Sequence, residues 1–271
     1  MSVKGIYTAV SGAIAQSEKL DTIANNLANA DTPAFKRDEQ VFREYLKSYE
    51  KQSEVIEAPR MPASIDSFYP TDGNDKSYVD NAGTYTSFAQ GALHVTNNPF
   101  DFAIEGDGLF EVLTNNGIQY TRAGNFTVNS DGLLVTKQGH PVLLEQKANE
   151  PLQNRTVQIG KAESWKVTAQ GDFFINGENR GRLAISTADD KDVFQKLGTN
   201  LFGLRETINA PIVPSRRFRL HQGSIEKSNV NVVSEMTDMI KTTRLFESTQ
   251  KAIQAYDQMN SKLVNDVAKL K

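Results

Sequence analysis

The sequence predicts an α+β protein in which long N- and C-terminal helices pair as a coiled-coil-like inner domain and an antiparallel β-rich domain fills the middle. Three observations predict it. Both ends carry apolar residues at alternating steps of three and four, which is helical spacing. The middle carries short apolar runs separated by Asn-, Gly- and Asp-rich turns. No Pro or Gly interrupts residues 224–271, whereas both recur throughout the centre. The organisation that follows is a terminal helical assembly domain from residues 1–32 and 231–271, an extended or β connecting region from 33–95 and 205–230, and a β-rich outer domain over 96–204.

The N-terminal helix is expected over residues 3–29. Ile6, Val10, Ala13, Ser17, Leu20, Ala24 and Leu27 form a seam of coiled-coil type, widened by Ile14 and Ile23. Asn25, Asn26 and Asn29 are weak helix formers, and their amides are candidates for hydrogen bonds to another chain. Thr32-Pro33 ends the helix, because a residue before proline is pushed out of the α region. A helix of this length is marginal alone in water, so it needs partners to order against.

The C-terminal helix is expected over 230–271. Met239, Thr242, Phe246, Thr249, Ile253, Tyr256, Asn260, Leu263, Val267 and Leu270 form one stripe. Val233, Met236, Ile240 and Thr243 open a second, which implies more than one neighbour. The first stripe alone spans roughly 57 Å at 1.5 Å per residue. Helices this long suit a coiled coil or bundle more than a compact domain.

In the middle, Phe110–Leu113 and Ile118–Thr121 flank Asn115-Asn116-Gly117, a strong hairpin signal. Asn125–Val128 turns at Asn129-Ser130-Asp131-Gly132 into Leu133–Thr136. Trp165–Thr168 turns at Gln170-Gly171-Asp172 into Phe173–Ile175. Short strands at this spacing predict an antiparallel β domain. Residues 47–95 show little periodicity and read as extended linker with a few strands.

Composition narrows the function classes. Of the 271 residues, 38% are hydrophobic and 23% charged, which supports a packed core and argues against wholesale disorder. A net charge of −3 argues against general nucleic-acid binding. Cysteine is absent, so disulfides, thiolate nucleophiles and Cys-based metal sites are excluded. The N-terminus lacks the basic-then-apolar pattern of a cleaved signal, and no run of 18 apolar residues exists to span a membrane. The terminal helices carry mixed charge on their polar faces, which favours assembly over membrane anchoring.

Catalytic readings find little purchase. His94, His140 and His221 are far apart and lack metal-ligand spacing. Asp101, Glu105 and Asp107 are carboxylates in a stretch that turn chemistry already explains. Asp72-Gly73-Asn74-Asp75 lacks the spacing and closing Glu of a calcium loop. Gly106-Asp107-Gly108 is not followed by the helix a phosphate loop requires. Arg216, Arg217, Arg219 and His221 form a basic cluster, read either as a solvated strand face or as an electrostatic contact between subunits. No catalytic residue, metal or cofactor is expected.

Three blocks of sequence resemble the flagellar basal-body rod and hook proteins. The first runs Ala24-Asn25-Asn26-Leu27-Ala28-Asn29-Ala30-Asp31-Thr32-Pro33-Ala34-Phe35-Lys36-Arg37, with Ala34 where the family pattern has Gly. The second runs from Asn98-Pro99-Phe100-Asp101 through Gly106-Asp107-Gly108 to Tyr120-Thr121-Arg122-Ala123-Gly124-Asn125-Phe126. The third runs from Gln222-Gly223-Ser224-Ile225-Glu226-Lys227-Ser228-Asn229-Val230 into Glu235-Met236-Thr237-Asp238-Met239-Ile240 and Arg244. The resemblance implies a structural rod subunit, with general similarity favouring the proximal over the distal position and a hook-type axial protein as the alternative. It also implies unfolded export through the flagellar type III apparatus without a cleaved signal, polymerisation with itself and other rod or hook subunits in the periplasm, and terminal helices lining an axial channel. The assembly residues expected on this reading are Ile6, Val10, Ala13, Leu20, Ala24, Asn25, Asn26, Leu27, Asn29, Met236, Met239, Ile240, Phe246, Ile253, Tyr256, Leu263 and Val267. The competing class, a periplasmic cell-wall hydrolase, would need converging acid, base or metal groups.

Overall fold

The computed structural model describes residues 4–47, 76–146, 152–160, 164–205 and 211–267. Two helices bracket the chain, α1 (Lys4–Ala28) and α2 (Val232–Val267), and every strand lies between them. Asp72–Asp75 falls outside the described residues.

The contacts divide the chain into two compact units. One comprises Met1–Ile23, Gln40–Thr84 and Thr237–Lys271. It holds most of each helix and most of a two-stranded sheet, Asp38–Lys47 with Lys76–Thr86. The other comprises Ala24–Glu39 and Tyr85–Met236 and is mainly β.

The β unit is built on a six-stranded sheet. Its order is Phe194–Leu197, Leu201–Leu204, Gly117–Thr121, Leu109–Thr114, Ile185–Thr187 and Val213–Pro214, with each neighbour antiparallel. The central strand Leu109–Thr114 is covered on both faces. Phe110 and Val112 enter one core with Phe102, Ile104, Leu134, Val142, Phe173 and Leu183. Leu109 enters a second with Tyr120, Phe194 and Phe202. Side-chain alternation along a strand is what permits one strand to serve two cores. Trp165 lies between Phe100 and Phe173, with centroids 5.1 and 5.8 Å away, extending the first core outward.

The hairpin expected at Asn115-Asn116-Gly117 forms, one residue off the simplest arrangement. Thr114 pairs with Gly117, so the two asparagines make the turn. Gly117 takes the left-handed conformation at φ +101°, a position that glycine fills without steric cost. At Asn176-Gly177 both residues have positive φ, 48° and 86°, which is the mirror-image turn that matches strand twist. The turns at Asn129–Gly132 and Gln170–Asp172 also join paired strands.

The connecting region read from sequence is more integrated than expected. Phe218–Gln222 pairs with Phe102–Gly106, and Ser224–Glu226 pairs with Leu93–Val95. Segments 85–95 and 211–236 therefore belong to the compact β unit. These pairings join residues more than a hundred positions apart, and local turn chemistry carries no trace of them.

Candidate assembly surface and the polar clasp at the helix roots

The structure sorts the predicted seam residues by exposure. On α1, Ile6, Ala13, Leu20 and Leu27 are half-buried, while Val10, Ala24 and Asn25 are exposed. The buried positions on α1 are Ile23, which widens that seam, and Ala15 and Asn26, which lie off it. Tyr7 and Ile14 stand open at 57% each. On α2, Met239, Phe246 and Ile253 are half-buried and Thr242 is buried. The second stripe is open, with Val233 at 74%, Met236 at 49% and Ile240 at 56%. Tyr256 is also exposed. Leu263 and Val267 belong to α2, with side chains outside the described residues.

Local chemistry defines where the helices begin and end. Asn231 caps α2: its side-chain oxygen accepts from the Ser234 N–H at 3.2 Å and its carbonyl from the Glu235 N–H at 2.9 Å. After α1, the chain turns through Ala34, a buried non-glycine residue at φ +58°. The Ala34 N–H donates to the Glu226 carbonyl at 2.8 Å, which holds the residue in that conformation. The position at which the chain departs from the family's glycine is thus the one that demands left-handed geometry.

Beside that turn lies a buried ionic cluster. Glu226 is 1% exposed and takes the Lys36 ammonium at 2.7 Å and Arg122 Nε at 2.6 Å. It also accepts the Gly91 N–H at 2.8 Å. Lys36 Nζ donates further to the Ala89 carbonyl, and the Arg122 guanidinium to the carbonyls of Ile104, Gly106 and Gly108. A buried charge is costly unless paired and hydrogen-bonded, and each of the three groups has an opposite charge and at least one backbone partner. Burial is the largest influence on Glu226 and raises its pKa, but Arg122 and Lys36 together hold the carboxyl below its ordinary range. Burial pulls the Lys36 ammonium down, against the opposing pull of Glu226.

A second polar group joins the helix ends. The Asn26 amide accepts the Asp38 N–H at 3.0 Å and donates to the Asp38 carbonyl at 2.9 Å. Its Nδ2 also reaches Glu235 Oε2 at 3.4 Å. Arg37 Nε lies 2.7 Å from Glu235 Oε1, close enough for strong attraction, yet without the alignment of a directed hydrogen bond. Asn229 clasps the same loop, accepting from the Arg37 N–H and donating to the carbonyls of Ser87 and Ala89. Lys196 donates to the Lys36 carbonyl and to Asp38, with its ammonium 3.7 Å above the Phe35 ring. Asn26 therefore makes intrachain bonds, where the sequence suggested an intermolecular one. The Asn29 amide likewise donates back to the Asn25 carbonyl.

Sequence reasoning missed these polar groups, although their residues lie inside the quoted blocks. Lys36 and Asn26 come from the first block, Arg122 from the second, Glu226 and Glu235 from the third. Three segments singled out separately meet at one place.

The other charged candidates scatter. Asp101 accepts from the Thr96 hydroxyl, Glu105 pairs with His221 at 2.7 Å, and Asp107 pairs with Lys191 at 2.8 Å. The Lys191 hydrogen bond holds the Asp107 carboxyl below its usual range. Arg216, Arg217 and Arg219 are exposed, and Arg219 stands opposite Glu105 in the strand register. Among the described residues no His and acidic side chains cluster as a metal site, and no helix is long and apolar enough to cross a membrane.

Comparison with known proteins matches the same three regions. Residues 6–36 match the flagella basal body rod protein family, 103–176 the D1 domain of flagellar hook protein FlgE/F/G, and 221–266 the C-terminal part of flagellar basal body rod FlgEFG protein. The chain is 31% identical over 267 residues to flagellar basal-body rod protein FlgF of Caulobacter vibrioides, covering 98% of each. It is 33% identical over 264 residues to flagellar basal-body rod protein FlgG of Borreliella burgdorferi, covering 95% of this chain and 96% of that one. It is 30% identical over 292 residues to flagellar hook-basal body complex protein FlhO of Bacillus subtilis, covering 99% and 100%.

Proposed function

We propose that this chain, which belongs to the family of flagellar basal-body rod proteins, is a structural subunit of the basal-body rod. The observation that carries the reading is the match to rod-protein relatives over nearly the whole chain. The terminal helices support it, because each keeps large apolar side chains at its surface, in stripes of helical spacing. Burying such side chains contributes about 1.5–3 kcal/mol each, a gain that association of copies would supply.

On this reading α1 and α2 pair in a coiled-coil manner and pack against the helices of neighbouring subunits around an axial channel. Partners are further copies and other rod or hook subunits. Delivery to the periplasm runs through the flagellar type III export apparatus.

Assembly of purified protein tests the reading. Increasing concentration should produce helical polymers visible by electron microscopy. Leu27→Asp and Ile253→Asp should block incorporation while leaving the near-UV signal of Trp165 unchanged. Normal incorporation of both variants would remove the seams from the interface.

A further inference from the structure

We infer that Glu235, clasped by Asn26 and Arg37, is a positioning residue that sets the rotational phase of both helix roots in the free monomer. The inference rests on the rod reading and adds what presents the seams before any neighbour arrives.

Glu235 is 1% exposed in the first turn of α2. It stands at the head of the first stripe: Glu235, Met239, Thr242, Phe246, Thr249 and Ile253 follow at alternating steps of four and three. Each residue turns a helix by about 100°, so pinning Glu235 points that whole line one way. Val233, two steps back, is turned to the opposite side and reaches 74% exposure. Val233 and Ile240 are therefore held outward by a buried polar contact on the far side of their own helix, and Met236 stands about a quarter turn from it.

Asn26 plays the matching part on α1. Its amide is bound at three points, the Asp38 N–H, the Asp38 carbonyl and Glu235. Leu27 and Ala24 lie one and two steps from it, so fixing Asn26 fixes the direction of the seam's last two residues. An apolar contact permits rotation and sliding at small cost. A buried amide bonded to a carboxylate does not, because rotation leaves buried polar atoms without partners. Single buried polar residues set register in helical assemblies in the same way.

The test uses the full chain carrying Glu235→Ala, Glu235→Gln or Asn26→Ala. Amide hydrogen exchange is measured on the dilute monomer, and the assembly lag by light scattering. Both alanine variants should speed exchange at residues 24–28 and 232–236 by roughly tenfold or more, leave Phe102–Gly106 at the parental rate, and lengthen the lag. Glu235→Gln keeps one oxygen for Asn26 but turns its NH2 toward Arg37, so both readouts should fall between those of the parent and Glu235→Ala. A merely packing role would leave Glu235→Gln, which has the shape of glutamate, at parental values in both. Parental exchange at the helix roots in the alanine variants overturns the inference, as does an unchanged lag despite faster exchange. If Glu235→Ala unfolds the β unit, Asn26→Ala decides alone. A parental chain that never polymerises sinks the rod reading instead, while the exchange result still judges the clasp.

Discussion

In the β unit, Lys36, Arg122 and Glu226 are each no more than 5% exposed, and every one of these charges has a partner. On the helices, Val233 and Ile240 stand at 74% and 56% exposure. One region hides charge and the other displays oil. The difference separates two ways of being stable. The β unit pairs the buried charges of Lys36, Arg122 and Glu226 and closes its cores from within. The helices keep large apolar side chains at their surface. On the rod reading, a subunit built this way holds a fixed body while its association surface stays available.

The most severe way to break the contrast is Glu226→Ala. It leaves two cations buried without their anion and should cost about 3–5 kcal/mol, read from urea unfolding followed by Trp165 fluorescence. A loss near that of a surface substitution would mean that water already reaches the cluster.

Acid should attack the same point. The folded Glu226 carboxyl is held below its ordinary value of 4.5. Above that value both folded and unfolded chains are ionised, and the stabilisation is complete. As pH falls, the unfolded chain takes up the proton first, and stability is lost down through the folded group's lower value. Urea midpoints measured across this range should decline in the parent and flatten in Glu226→Gln.

Ala34→Gly should act in the opposite direction. Relief of the left-handed alanine outweighs the extra freedom of an unfolded glycine, for a gain of about 0.5–1 kcal/mol in the thermal or urea midpoint. The smallest effect belongs to the helices. Val233→Ser should change monomer stability by no more than about 0.5 kcal/mol, because that side chain is mostly in water already. A larger loss would show that the monomer itself depends on the stripe.

The elements that could be read from sequence are those with local causes. Helical spacing located both terminal helices, and the turns at Asn116-Gly117, Asp131-Gly132 and Gln170-Gly171 located three of the hairpins. What escaped has long-range causes. The pairing of Phe218–Gln222 with Phe102–Gly106 depends on partners that no local pattern names. Nothing in the sequence marks Glu226, Lys36 and Arg122 as buried, since charged residues are seldom fully buried. Asn26 looked like a weak helix former facing a neighbour, because an amide's partner cannot be inferred from its spacing. The seam on α1 was legible as a stripe and Ile23 at its margin is buried, yet Ala15 and Asn26 show that the buried face runs beside it.

The strand register has a bearing on timing. Ser224–Glu226 must pair with Leu93–Val95, and Phe218–Gln222 with Phe102–Gly106, before the body is complete. A polypeptide delivered amino-end first, from a ribosome or along a narrow conduit, cannot finish its body until residue 226 has emerged. Non-local pairings of this kind also close slowly. The topology thus acts as a delay, leaving the body incomplete until the strands on both sides of it are present.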